Sequence, residues 1–244
     1  MQQQTDQFSP DGYWMWNGTQ WVPNPYRPMA APPAAAPYEP AGPRAGTASI
    51  LVLSNIAGIV LLAAASLTID LIPNPDDTQS VIIGLLSLVA LIVWLGTLIG
   101  AIVFFCIWLH RVVRNMPALG SPDPRWSPAR AVVYCFVPFV WFVHPLWSVL
   151  DAWRGADASR RWIDQGARRT LRAPRLMVGW WSTWLIGAYV LDIAARISGG
   201  IAVALDVIGA IGQIAAAVLC VMVIREVTAR QELKNELIAS GRLV

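Results

Sequence analysis

The chain has 244 residues, of which 56% are hydrophobic and 14% charged, with a net charge of +3. A soluble domain of this length carries about 25% charged residues, so the deficit excludes an ordinary water-soluble globule and points to lipid as solvent. With two histidines, no phosphate-binding glycine loop and no His-Glu-x-x-His pair, neither an enzyme nor a cofactor is expected.

Residues 1–22 form a Trp-rich module. Asn17-Gly18 separates two β-prone runs, a pair whose tolerance of positive φ suits a hairpin turn. Alternation places Trp14 and Trp16 on one face, with Trp21 on the returning strand. A lone hairpin is marginal in water, so these three rings are the candidate contacts for a protein partner. Residues 23–46 read as a Pro/Ala-rich spacer without packing, eight prolines falling between 23 and 43. No charged segment followed by an apolar core occurs in the first 45 residues, so the first span is expected to insert the chain.

The membrane domain, 47–240, is predicted to be an all-α transmembrane bundle. Its expected spans cover about 49–71, 80–109, 176–196 and 201–224, each long enough for the roughly 20 residues a crossing needs. The last is expected to continue as a polar helix, because Glu226 and Arg230 stand four apart.

A fifth apolar segment, 131–150, holds six aromatic residues and the prolines Pro138 and Pro145. Arginine and lysine placement decides whether it crosses, since short loops rich in them stay on the cytoplasmic side. The 111–130 loop carries four basic residues, the 151–175 loop seven, the N-terminal tail two and the C-terminal tail four. If 131–150 does not cross and both termini are cytoplasmic, only Arg196 of the 18 basic residues faces outward. The segment is therefore expected to be re-entrant or interfacial, with its prolines bending it. Seventeen of those 18 are arginine, and Ala, Pro and Trp are abundant, which suggests a GC-rich bacterial genome and a bacterial plasma membrane.

The run from Ile107 to Gly120, which contains Arg111, Arg114 and Asn115, is followed by Trp126-Ser-Pro, Phe136-Val-Pro138, Pro145, Asp151 and Trp153. In this order they resemble the bacterial membrane family called domain of unknown function 4328, over about residues 50–225. The resemblance implies a multi-span membrane domain and brings no functional residues with it. The chain departs from that pattern at Trp141 and His144 and in the length of its 151–175 loop. Separately, Tyr13-Trp14 and Gly18-Thr-Gln-Trp21 resemble short Trp-rich modules at the ends of actinobacterial membrane proteins.

Candidate site residues are few. Asp206 lies inside the last span, Asp70 and Asp192 lie at span ends, and Asp192 and Arg196 are four apart on one face. Intramembrane carboxylates mark cation or proton sites by default, while paired or snorkelling interfacial charges are the plain alternative. Arg160, Arg161, Arg168, Arg169, Arg172 and Arg175 surround Trp162, as on an interfacial helix against anionic lipid; the alternative is a topology signal without a ligand. Nucleic acid is not expected as a partner. Cys106, His110, Cys135 and His144 offer soft ligands, but their spacing matches no metal motif, and no metal is expected. Gly96 and Gly100, and Gly212 and Ala216, are small-xxx-small pairs expected to pack within the monomer. The leading expectation is a non-enzymatic interaction or scaffold component, and the runner-up a small transporter or lipid-handling protein using 131–150 and Asp206.

Overall fold

The computed structural model describes residues 14–23, 37–72, 74–191, 193, 196 and 201–243. Two compact units result, Met1–Ala35 and Ala36–Val244.

In the first, β1 (Trp14–Trp16) pairs antiparallel with β2 (Trp21–Pro23), Trp16 opposite Trp21. Gly18 takes φ 97°, the left-handed conformation open to glycine, and the Asn17 carboxamide oxygen accepts the Thr19 and Gln20 amides at 3.0 and 2.9 Å. Trp16 and Trp21 meet edge to face at 5.6 Å.

The second unit is helical. α1 (Gly42–Leu71) begins inside the stretch expected to be linker. Pro43 sits in its first turn, where a missing N–H costs nothing, so a residue that reads as a spacer also starts a helix. The approach to α1 is packed as well, since Ala41 is fully buried and Asn115 bonds both the N–H and the C=O of Glu39. α2 (Asp77–Arg114) opens with a capping box between Asp76 and Gln79. Short helices follow at Pro128–Val133 (α3), His144–Gly155 (α4) and Gln165–Thr170 (α5). α6 (Arg175–Leu185) runs into a π-helical turn at Ile186–Val190. α7 (Ala202–Ala239) carries the polar continuation the sequence predicts.

Among the described residues three helices, α1, α2 and α7, are long and apolar enough to cross a membrane. The stretch expected to be a further span, 176–196, holds α6, the π turn and helical backbone at Leu191, Ile193 and Arg196, and is not one of these three helices. Asp192 and the turn at 198–200 lie outside the described residues.

Segment 131–150 is not one helix. It joins the end of α3 to 3-10 turns at Tyr134–Phe136 and Val140–Phe142 and then to the start of α4. Pro138 separates the two turns, and Pro145 occupies the first turn of α4. Phe139 takes φ 63°, uncommon for a side chain of its size, and is 82% exposed.

Helix contacts set the directions. Glu39, just before α1, pairs with Arg111 at the end of α2, and Gly42 faces Glu232 near the end of α7. α1 therefore runs antiparallel to α2 and α7, and α6 antiparallel to α7. The spans share one basic end (Arg111, Arg114, Lys234) and one acidic end (Asp70, Asp206). At Gly58 a Cβ would stand 2.7 Å from Trp94 Cα, so α1 and α2 touch backbone to backbone. Gly187 meets Gly209 and Gly212 in the same way, bringing α6 against α7. Thus Gly212 packs inside the monomer, whereas Gly96 meets nothing within 4 Å.

Candidate functional site

Between α1, α2, α6 with its π turn, and α7 lies a cavity of about 1020 Å³. That is the upper end of the roughly 300–1,000 Å³ typical of small-molecule sites. On α7 its lining residues include Val203, Asp206, Ala210, Gln213, Ala217 and Cys220, a three-and-four spacing that defines one helical face. α1 contributes Asn55, Ser66 and Asp70, and α2 contributes Trp94, Phe105 and Cys106. Cys135, Phe136, Trp141 and Pro145 reach the cavity from the proline-broken segment.

The opposite wall is aromatic. Trp180, Trp181, Trp184 and Tyr189 all line the cavity. The Trp181 indole N–H donates to the Phe142 carbonyl at 2.8 Å, tying α6 to the 140–142 turn. Among the polar lining groups, Asn55 accepts from the Thr97 hydroxyl at 3.2 Å, and Gln213 reaches the Gly187 carbonyl at the π turn at 3.5 Å. Turns of this kind recur at functional sites because the extra residue re-aims side chains and loosens a carbonyl.

Three of the four residues proposed for ligand or ion binding, Asp70, Arg196 and Asp206, line this one cavity. Asp192, the fourth, is outside the described residues. Sequence reasoning missed Gln213 and Tyr189. Gln213 had a signal, since it stands seven residues after Asp206 on the same face; Tyr189 had none, because the π turn sets its direction.

The basic end is a different construction, a buried polar cluster. Asn115 meets Gln231 at 3.4 Å, Gln231 donates to the Val112 carbonyl at 2.8 Å, and Trp108 donates to Thr228 at 3.0 Å. Arg111 and Arg114 both face Glu39. The family-motif residues Arg111, Arg114 and Asn115 thus tie α2 to α7 and to the approach to α1.

Of the six arginines expected to face lipid, Arg168 does not: it is fully buried. Its guanidinium binds Asp151 at 2.9 Å, Asp123 at 3.2 Å and the Ile163 carbonyl at 3.0 Å. Its two carboxylate partners lie in other parts of the chain, so burial costs are offset by ionic bonds that no local spacing announces. Burial works against the Asp123 carboxylate, but the Gln165 amide and the Arg168 guanidinium outweigh it and hold its carboxyl below the usual range. Arg160, Arg169, Arg172 and Arg175 are exposed, and Arg161 lies over the Trp162 ring at 4.4 Å.

Lys234, beyond the apolar part of α7, is fully buried and donates to the Gly155 carbonyl at 3.0 Å. Burial pushes its pKa down to about 8, partly opposed by Asp157. His144, also buried, lies between the Ala131 carbonyl and the Ser148 hydroxyl, each 3.1 Å from its Nε2. Burial lowers its pKa as well. Both groups hold elements together, and neither lines the cavity.

Three helices long and apolar enough to cross a membrane, packed around a cavity, are the features of a helical membrane protein. The family model described as a domain of unknown function (DUF4328) matches residues 77–229, and the chain belongs to that family. The match takes in α2 through most of α7, including every motif residue from Arg111 to Trp153. Comparison with curated proteins and with solved structures brought no match.

Proposed function

We propose that this chain is a non-enzymatic protein of the bacterial plasma membrane that holds a small amphipathic or lipid-like molecule inside its helical bundle. The observation that carries this reading is the cavity that gathers Asp70, Arg196 and Asp206 against an aromatic wall. In this reading α6 and the π turn form the fourth crossing, and 131–150 closes the cytoplasmic side without crossing. Both termini are then cytoplasmic, and the exposed arginines of 160–175 rest on anionic lipid, each contributing about 1 kcal/mol.

The test fills the cavity. Ala210 is a small residue that lines it, so Ala210→Trp places an indole in the space. In lipid nanodiscs the unaltered protein is expected to bind the neutral fluorophore N-phenyl-1-naphthylamine saturably, and the variant to lose at least tenfold in affinity, by roughly the cost of one displaced ring. Equal binding by both proteins, beyond that of empty discs, would sink the reading. Topology is checked separately with Ser159→Cys, an exposed loop position, in a background freed of Cys106, Cys135 and Cys220. Labelling of intact cells by an impermeant maleimide should fail until they are opened; labelling beforehand contradicts the orientation.

A second reading, an interaction component docking through its tail, is favoured by the hairpin, which leaves Trp14 and Trp21 45% and 46% exposed. Removing residues 1–35, which leaves the packed approach to α1 intact, should then abolish a specific crosslinked partner while ligand binding in the bundle persists.

A further inference from the structure

The wall and the mouth of the cavity together specify the chemistry of its occupant, an inference that rests on the cavity being a binding site. Phe105, Trp180, Trp181, Trp184 and Tyr189 form a continuous series of ring contacts, with centroids 4.7 to 6.0 Å apart. All five line the cavity. Indole and phenol faces carry negative potential and attract organic cations, most strongly where water is excluded.

The formal charge points the same way. Among the described residues that line the cavity two are acidic, Asp70 and Asp206, and one is basic, Arg196. An anionic headgroup would meet excess like charge there, whereas a cation is drawn in. Among the described residues no group of three or more His, Cys, Asp or Glu could hold a metal ion. Rings and aliphatic side chains line the depth of the space, which suits a large apolar body rather than a bare ion.

The dimensions agree. Asp206 and Cys220 line the same face of α7, 14 residues and therefore about 21 Å apart along its axis. The occupant has room for an extended or multi-ring body below its charge.

We propose that the cavity takes an amphipathic organic cation, its charge held near Asp206 and its apolar body against Phe105, Trp180, Trp181 and Trp184. The carboxylate supplies the sign, and the rings supply affinity that a neutral or anionic isostere gains less from.

Tetraphenylphosphonium and tetraphenylborate test this, being alike in shape and opposite in charge. Binding is measured by equilibrium dialysis on full-length protein in phosphatidylcholine nanodiscs, with empty discs subtracted. Each ion is measured alone, since the two pair with one another: saturable binding of the phosphonium is expected, weakened about tenfold by Asp206→Asn, and none of the borate above empty discs. Asp206 is exposed, so Asp206→Asn should fold normally, which an unchanged thermal transition verifies. Equal binding of the two ions, or a phosphonium affinity indifferent to Asp206→Asn, overturns the inference. If the neutral naphthylamine still binds and Ala210→Trp still removes it, the cavity reading survives and only the cationic assignment falls. If neither probe binds, both fall together.

Discussion

Gly120→Ala is expected to destabilise the protein by roughly 4 kcal/mol or more, enough to prevent the 115–175 region from closing. Gly120 has φ 81°, and a Cβ there would stand 1.8 Å from the Arg161 carbonyl oxygen and 2.9 Å from its carbon. Neither atom belongs to a flexible side-chain end, so relief requires the two backbone segments to part. Parting them breaks the bond from the Ile163 amide to the Gly120 carbonyl, 2.9 Å long, and exposes Ile163, which is 2% accessible. Gly241→Ala is the control: its φ is 70°, with nothing within 4 Å, so only the backbone preference of about 1 kcal/mol is lost. Thermal unfolding in micelles, followed by near-ultraviolet circular dichroism, should separate the two variants widely. Equal losses would mean that the close approach at Arg161 does not matter.

Asp151→Ala is expected to cost less than Gly120→Ala but still about 3 kcal/mol, because it takes the buried carboxylate from the fully buried Arg168 guanidinium and leaves it the half-exposed Asp123 as carboxylate partner. Asp151 is also the acceptor for the Arg125 amide, 2.8 Å away, so one carboxylate anchors two strands of the loop. The double variant Asp151→Leu with Arg168→Met should recover a good part of the loss, since a matched apolar pair leaves no buried charge. Urea titration of the two proteins decides it. A double variant less stable than Asp151→Ala would show that the ion pair itself, rather than the avoidance of an unpaired charge, holds the loop.

These two sites mark the boundary of what the sequence discloses. Long uncharged runs announce α1, α2 and α7, because length and polarity alone decide what lipid accepts. Asp206 is likewise legible, as a carboxylate within an apolar run, and Gln213 follows from helical spacing. The start of α1 at Gly42 is not, since Pro43 fits a helix's first turn as well as it fits a spacer. Arg168 looks like its exposed neighbours because Asp151 and Asp123 lie 17 and 45 residues away, a separation that only the fold closes. The cavity is non-local for the same reason, its walls coming from four helices and a broken segment. The aromatic residues of 131–150 are visible at once, but not that Trp141 and Pro145 line a cavity while Phe139 points away from the protein.

The π turn at Ile186–Val190 gives the sixth helix a property that counting residues does not reveal. One additional residue in a turn delays the screw of the helix by about 100°, so Leu191, Ile193 and Arg196 are out of phase with Trp180 and Trp184. Shortening 186–190 by one residue would turn the π-helical stretch into regular α-helix of nearly the same length, yet rotate Arg196 away from the cavity it now lines. A one-residue gap at this place therefore alters the address of a charge without altering the scaffold. Chains that differ by such a gap can share every span and still offer their cavities a different set of groups.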